Sequence, residues 1–316
     1  MKHREGSGRL LFIVSMLIFS TVGVLRRYIP LPSGFIAMVR GLVGALTLLL
    51  VLCLSGKRPD WTALVKKLPI LIITGALIGG NWILLFESYN YTSVAVAVLC
   101  YYMAPTFVIL ASPFLFGEKL NLTGVVTLVL SLVGMVLVSG ALESGFTLSG
   151  DALIGVLLAL GAAVLYASVI LCNKKITGID SGMLTVVELA SAGIVVLPYT
   201  LLCEKISPQN FTPLGTVLLL ILGIVHTGLA YAMYFGSLGK LSARTVAVLG
   251  YIDPIVAVVL SALLLKEPLT PLTVLGAVLI LGATLFAELH KSRDKGKTPP
   301  DHERESPSHT DESSPD

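Results

Sequence analysis

The chain has 316 residues, of which 55% are hydrophobic and 13% are charged, and its mean hydropathy is +0.88. Soluble domains carry about 25% charged residues, so this composition excludes a water-soluble globular protein, and the absence of period-two alternation excludes a membrane β-barrel. The net charge of +3 excludes little by itself, because the positions of the charges are more informative.

Long uncharged runs alternate with short, turn-rich breaks along the chain, which is the pattern of membrane-spanning helices of roughly 20 residues each. The first run follows basic residues as a signal peptide does, but no small-residue cleavage site comes after it, so we expect a retained span. The sequence predicts an all-α integral membrane protein with about ten transmembrane helices. Their ranges are 9–28, 34–54, 68–89, 93–115, 121–140, 151–172, 182–202, 214–236, 245–265 and 271–289.

The last segment, 290–316, is polar and rich in proline and serine. It cannot bury a core, and we expect a disordered cytoplasmic tail.

Basic residues divide the predicted loops into two sets. If the N-terminus is cytoplasmic, the outside loops hold only Arg26, Arg27, Lys205 and Lys266, whereas most other lysines and arginines lie in inside segments. The positive-inside rule then places both termini in the cytoplasm of a multi-pass protein of the plasma (inner) membrane.

The four cysteines lie far apart and lack the spacing of a metal or redox site. They are Cys53, Cys100, Cys172 and Cys203. No nucleotide-binding, metalloprotease or hydrolase motif is present. We therefore expect no metal, no cofactor and no enzymatic activity.

The chain repeats itself at an offset of 149 residues. In this register Tyr102 aligns with Tyr251, Pro105 with Pro254, and Glu118 with Glu267. Further upstream, "SGFIAMVR" (33–40) aligns with "SGMLTVVE" (181–188). The repeated unit contains five predicted spans. Because five is odd, the second copy must enter the membrane from the opposite face, as in the inverted repeats of secondary transporters.

The patterns "YTS…YxxP…GEKL" and "LSA…YIDP…KEPLTPLTVLGAVLILGA" resemble the two EamA domains of the drug/metabolite transporter superfamily. The resemblance implies a first five-helix repeat at 9–140 and a second, inverted one at 151–289. The chain departs from the family pattern at Ala104, where an acid often precedes the proline, and at Asp253, where glutamate is usual. Any role of that acid is therefore confined to one half.

Pro105 and Pro254 lie within predicted spans, where each removes a helical hydrogen bond and frees the carbonyl four residues back. Exposed backbone at this depth is tolerated only against protein or water. We interpret both prolines as helix breaks beside a cavity, with a fixed packing kink as the alternative.

Asp253 is the deepest acid of the chain, and His226 lies at a similar depth in the preceding span. An intramembrane carboxylate is a functional candidate by default. The two side chains could share a proton or contact a polar substrate. In the alternative, Asp253 is protonated and His226 is a satisfied core residue.

Helical spacing predicts a polar and aromatic lining in which Asn81 and Trp82 match the region of Tyr231. The remaining candidates for substrate binding or coupling are Tyr101, Tyr102 and Tyr251, around the two prolines.

Arg40 and Glu87 both lie near the predicted outer face, and we expect them to form a gating ion pair. The alternative is that Arg40 snorkels and Glu87 is exposed to water. Glu118 and Glu267 stand before new helices, and we expect them to cap helix starts and form corners.

We expect a secondary transporter that moves a small organic metabolite by alternating access, with efflux favoured over uptake or exchange. A passive channel and, less favoured, a membrane-embedded sensor or enzyme remain open alternatives. The expected partners are the lipid bilayer, a small-molecule substrate and, as an open question, protons, but no nucleic acid. Monomer and homodimer remain equally open.

Overall fold

The computed structural model describes residues 2–57, 60–117, 121–142 and 150–295. In this part of the chain all regular structure is helical, and nine helical stretches are long and apolar enough to cross a membrane. A tenth apolar helix, Leu122–Val138, has 17 residues, which at a rise of 1.5 Å per residue still spans about 25 Å. The prediction of about ten membrane helices is confirmed.

The first half contributes eight helices, four of which form two broken spans. They are α1 (Lys2–Ser20), α2 (Val22–Arg27), α3 (Ser33–Leu54), α4 (Trp61–Lys66), α5 (Leu68–Tyr91), α6 (Val94–Tyr101), α7 (Ala104–Phe116) and α8 (Leu122–Val138).

The second half contributes seven α-helices and a π-helical segment, Ile224–Leu229, that joins two of them into one span. The helices are α9 (Gly150–Asn173), α10 (Ser181–Cys203), α11 (Pro213–Gly223), α12 (Ala230–Leu238), α13 (Ala243–Gly250), α14 (Ile252–Leu264) and α15 (Pro271–Lys295).

Equivalent helices of the two halves pack against each other in opposite directions. At the start of α3, the amide of Gly34 donates to Glu204, just past the end of α10, at 2.7 Å. At the other end of the pair, Leu52 of α3 lies against Gly182 of α10. Since α3 and α10 carry the aligned segments 33–40 and 181–188, their antiparallel packing shows that the two repeats are inverted.

Helices α8 and α15 form a second antiparallel pair of equivalents. Thr127 near the start of α8 donates to the carbonyl of Ala283 in the middle of α15, whereas Val138 at the end of α8 lies against Gly276 near the start of α15. Both pairs are consistent with one pseudo-two-fold axis between the halves.

The other contacts between the halves also come in matched sets. Helix α5 runs antiparallel to α9, with Asn81 hydrogen-bonded to Ala162. In the corresponding place α12 runs antiparallel to α1, with the rings of Phe12 and Tyr234 5.5 Å apart. Neither half therefore forms a self-contained bundle.

Two spans break at corresponding places just before the prolines. Helix α6 ends at Tyr101 and α7 begins at Ala104, so Pro105 lies in the first turn of α7. Helix α13 ends at Gly250 and α14 begins at Ile252, so Pro254 lies in the first turn of α14. The first turn of a helix tolerates proline because its N–H groups have no intrahelical acceptor.

Serine side chains cap the starts of the two proline-containing spans, α6–α7 and α13–α14. Ser93 accepts a hydrogen bond from the amide of Val96, and its equivalent, Ser242, accepts one from Thr245. These N-caps satisfy free amide groups at the helix starts.

Segments predicted to share a membrane face lie together. The Lys57 ammonium is 2.7 Å from Asp180, and the Lys174 ammonium lies 4.0 Å from the ring centre of Phe116. On the opposite face Arg27 lies 3.2 Å from Glu267.

Helix α15 continues to Lys295, five residues beyond the predicted start of the tail. The rest of the predicted tail, 296–316, and Glu118 lie outside the described residues.

Candidate functional site

The two helix breaks face each other across the interface between the halves. The hydroxyl of Tyr102, at the break in the first half, donates a 2.6 Å hydrogen bond to Oδ2 of Asp253, at the break in the second half. Asp253 is therefore part of a contact between the repeats, as expected for a residue at a central site.

Tyrosines form a wall beside this contact. The ring of Tyr101 lies 6.2 Å from Tyr102 and 5.5 Å from Tyr166 of α9. Tyr166 is 40% exposed although it lies in the middle of its span, and Tyr231 and Asp253 are among its neighbours. Since Tyr101 belongs to the first half and Tyr166 to the second, the two rings meet between the halves.

A second aromatic group lies on α12. The ring of Tyr231 is 5.2 Å from Phe19 of α1 and 6.0 Å from Phe235, on which it stacks. Tyr231 is half-buried, as are Tyr101 and Tyr102. The predicted aromatic lining is thus assembled from both halves.

Arg40 places a cation at this site. Its side chain is only 6% exposed, its guanidinium carbon lies 4.2 Å from the ring centre of Trp82, and its Nε donates to Thr227 Oγ1 at 2.9 Å. Among the described residues no carboxylate lies within 4.0 Å of it, and no side chain or carbonyl accepts a hydrogen bond from its two terminal nitrogens. Tyr89, Tyr101, Tyr231 and Asp253 are the titratable groups close enough to act on it electrostatically.

The predicted ion pair between Arg40 and Glu87 is wrong, and so is the snorkelling alternative for Arg40. Arg40 is turned towards Trp82 and Thr227, whereas Glu87 accepts a 2.7 Å hydrogen bond from Ser33. Because Ser33 begins α3, Glu87 lies level with the start of that helix, whereas Arg40 lies seven residues further along it, about 10 Å away at 1.5 Å per residue.

His226 and Asp253 do not share a proton in this structure. The His226 ring is 2.7 Å from Thr21 Oγ1 through Nε2 and 3.2 Å from the carbonyl of Ile221 through Nδ1. Its two ring nitrogens are engaged away from Asp253, which corresponds to the alternative of a satisfied core histidine.

The π-helical segment explains how His226 and Thr227 are placed. Nδ1 of His226 and the hydroxyl of Thr227 each bond a carbonyl five residues back, those of Ile221 and Leu222. A π-turn shifts the register of the following side chains. As a result Thr227 meets Arg40 of α3, and His226 meets the break between α1 and α2.

Two other predicted candidates are occupied by packing. Asn81 is buried and donates to the carbonyl of Ala162 at 2.6 Å, so it ties α5 to α9, and its side chain also lies beside the Tyr101 hydroxyl. Tyr251 is buried, and its neighbours are Thr284 and Glu288 of α15 rather than Asp253.

The predicted capping role of Glu267 is fulfilled across the interface. Its carboxylate accepts hydrogen bonds from the amides of Val94 and Ala95 at 2.9 and 3.4 Å, at the start of α6. Arg27 and Ser261 also donate to it. One acid of the second half thus holds two helices of the first half at this face.

The corner before Glu267 is strained. Lys266 has a φ of +56°, the only positive φ of a non-glycine residue in the described ranges, whereas its equivalent Gly117 adopts +65° at no steric cost. A left-handed conformation costs a side-chain-bearing residue about 1–2 kcal/mol. The contacts of Glu267 hold this corner in place.

A cavity of about 500 Å³ opens at the same face as Glu267, which the charge distribution predicts to be the outer face. Arg26, Glu87 and Glu204 are among its lining residues. Burial raises the pKa of Glu204 above its usual value, and hydrogen bonds from the amides of Gly34 and Phe35 offset part of this effect.

Four residues of the site escaped the sequence analysis. Thr21, Tyr166 and Thr227 contact predicted residues directly, and Phe19 packs on Tyr231. A tyrosine in the middle of an apolar span was a usable signal for Tyr166. Thr21 and Thr227 carry no such sequence signal, because threonine in a membrane helix commonly bonds its own backbone.

No group of three or more histidine, cysteine, aspartate or glutamate side chains that could hold a metal occurs in the described residues. The site is instead a pair of separated opposite charges, Arg40 and Asp253, within aromatic walls.

The profile of the EamA-like transporter family matches residues 6–140 and 153–288. The chain is 29% identical over 252 residues to "Uncharacterized transporter YxxF" of Bacillus subtilis, covering 78% of each chain. It is 25% identical to "Aromatic amino acid exporter YddG" of Ancylobacter novellus, covering 66% of this chain and 69% of that protein. One solved crystal structure, 20% identical, covers 92% of this chain and 99% of its own with a TM-score of 0.63, which is a likeness of fold.

Proposed function

The chain belongs to the EamA-like transporter family, and on that premise we propose that it is a secondary transporter that exports a small organic solute. We propose the plasma (inner) membrane as its location, with both termini in the cytoplasm. Its energy then comes from a gradient, of the solute itself or of a coupled ion.

The observation that carries the proposal is the separation of Arg40 from Asp253. Arg40 is buried and Asp253 is half-buried, yet the two do not form an ion pair within 4.0 Å. A buried, unpaired cation is costly. A solute that carries both an anionic and a cationic group would pair its anion with Arg40 and its cation with Asp253. Arginine suits the first role because it binds carboxylates through parallel N–H groups.

The walls of the site indicate the rest of the solute. Tyr101, Tyr166 and Tyr231 offer ring faces and hydroxyls, a lining suited to a mostly apolar solute with few polar groups. We therefore propose an amino-acid-like or aromatic solute. The relative named as an aromatic amino acid exporter supports this class without defining the substrate.

The inverted halves support alternating access as the mechanism. The site lies between them, and the contacts of Glu267 and Glu204 tie them together at one face. Rocking of the halves would break these contacts while opening the site to that face. Uptake or exchange by the same movement is the second candidate, because such a cycle is reversible.

Intrinsic fluorescence can test the site directly. The chain has two tryptophans, the exposed Trp61 and the buried Trp82 beneath Arg40. In a Trp61→Phe background Trp82 becomes the sole reporter. We expect aromatic zwitterions such as L-phenylalanine and L-tyrosine to change the emission of Trp82 saturably in the purified protein.

The matched control is Arg40→Gln in the same background, which should remove the response. The amine phenethylamine and the acid phenylpropionate, each with one charge, should bind at least tenfold more weakly than L-phenylalanine. Equal affinities for these three compounds, or an unchanged response in Arg40→Gln, would exclude the two-charge site. Counterflow in proteoliposomes then separates binding from transport.

A further inference from the structure

Glu188 is a buried acid that the site above does not use. It lies about a third of the way along α10, is 2% exposed, and is the counterpart of Arg40 in the inverted repeat. Because α3 and α10 run in opposite directions, Arg40 is nearer one membrane face and Glu188 nearer the other, which is the predicted cytoplasmic face.

No cation balances Glu188. Among the described residues it forms no ion pair within 4.0 Å. Arg40 of α3, the helix packed along α10, faces Asp253 and the tyrosines instead. The titratable groups that face Glu188 are Tyr166 of α9 and Tyr231 of α12, and α5 contributes only the hydroxyl of Thr74.

Two uncharged side chains, the Thr74 hydroxyl and the Asn173 amide, lie within hydrogen-bonding reach of the Glu188 carboxyl group. The Thr74 hydroxyl donates its hydrogen bond to the carbonyl of Leu71 at 3.1 Å. Asn173, the other polar neighbour, lies at the end of α9. Oε1 of Glu188 and Oδ1 of Asn173 are both buried acceptors without a hydrogen-bond partner.

A proton on the Glu188 carboxyl group would explain why two buried acceptor oxygens lie here without a hydrogen-bond partner. Uncharged neighbours do not balance an ionised carboxylate, which without a cation is strongly disfavoured away from water. A protonated carboxyl group instead has an O–H that donates a hydrogen bond. The side-chain oxygen of Asn173 or the hydroxyl oxygen of Thr74 can accept that bond.

We propose that Glu188 is a proton-binding site that is loaded in this conformation and is discharged when the halves move. On discharge the carboxyl O–H bond breaks, the proton passes to a water molecule that reaches the site, and a carboxylate remains. The reverse step reloads it. Coupling of this proton to solute movement rests on the proposed transport function, whereas protonation itself does not.

Infrared difference spectroscopy tests the loaded state without any substrate. Wild-type protein in lipid nanodiscs at neutral pH should show the carbonyl stretch of a protonated carboxyl group. Glu188→Gln should remove that band, Glu188→Asp should shift it, and Asp253→Asn should leave it in place. A band that is unchanged in both Glu188 variants overturns the proposal, and so does its absence from the wild-type protein.

Transport measurements test the coupling separately. In proteoliposomes, an imposed pH gradient should change wild-type flux at least several-fold and leave Glu188→Gln flux unchanged, while Glu188→Gln still exchanges solute across the membrane. If the gradient drives Glu188→Gln as well as the wild type, Glu188 is not the coupling site. If neither protein moves any tested solute, the proposed function fails, and the infrared result still decides the protonation of Glu188.

Discussion

The Tyr102 hydroxyl of the first repeat donates to the Asp253 carboxylate of the second at 2.6 Å, and this contact has no symmetric counterpart. By the 149-residue offset the counterpart would join Tyr251 to Ala104. Alanine offers no acceptor there, and Tyr251 turns to α15 instead. The two repeats share a fold, but only one supplies an acid to the site.

We expect Asp253→Asn to lower the transport efficiency, kcat/KM, by roughly 10- to 100-fold in proteoliposomes, because a hydrogen bond to a charged group contributes about 1.5–3 kcal/mol. Tyr102→Phe should lower it less. Tyr251→Phe is the matched control and should stay within about twofold of the wild type. A larger defect in Tyr251→Phe than in Tyr102→Phe would contradict this assignment.

Glu267→Gln should destabilise the protein and favour opening at the face where Glu267 holds α2 and α6. The loss of a charged acceptor shared by several donors predicts a decrease of about 1.5–3 kcal/mol, visible as a lower thermal unfolding midpoint in detergent. The Arg9–Glu5 pair, exposed on α1, supplies the control, because Arg9→Gln should change stability by less than about 0.5 kcal/mol. Equal effects of the two substitutions would show that Glu267 is only a surface charge.

The Lys57–Asp180 pair predicts a pH dependence at the opposite face. Partial burial acts to raise the pKa of Asp180, but the hydrogen bond and charge of Lys57 and the amides of Met183 and Gly182 outweigh it, so the net pKa lies below 3.8. This stabilisation is present above pH 3.8 and is lost as the pH falls through the lowered pKa.

The unfolding midpoints of wild type and Asp180→Asn should therefore differ at neutral pH and converge in strong acid. Lys57→Gln should reproduce the neutral-pH difference. A gap that widens as the pH falls would reverse the sign of the argument.

Gly276→Ala should disrupt the α8–α15 pair. A Cβ on Gly276 would lie 2.5 Å from the carbonyl oxygen of Gly134, which as backbone cannot turn aside. Overpacking of this kind costs about 1–3 kcal/mol. Gly282→Ala, in the same helix with nothing within 4 Å of its Cβ, should be neutral or slightly stabilising. Similar unfolding midpoints for the two variants would contradict the close approach of the helices.

The sequence predicted features that depend on local chemistry and on repetition. Apolar run length gave the spans, and the offset between Pro105 and Pro254 located both helix breaks. The position of Asp253 within an apolar span also indicated a central site, since an acid in an apolar helix needs an unusual environment.

The direction in which a side chain points around its helix was less predictable. We expected Arg40 and Glu87 at one depth, but Glu87 bonds Ser33 at the start of α3. The π-helical segment brings Thr227 to Arg40, and no residue pattern marks such a segment. Glu267 caps α6 of the other half rather than the helix that follows it. That contact depends on how the halves dock, which spacing along one chain does not encode.

The bond from Arg40 to Thr227 has a consequence for biosynthesis. The two residues are 187 positions apart, so α3 enters the bilayer with its arginine long before the ribosome has made the acceptor. Until then Trp82, which is made 145 residues before Thr227, is the partner that its own half can offer. A Trp82 substitution should therefore harm insertion of the nascent chain as well as the finished protein.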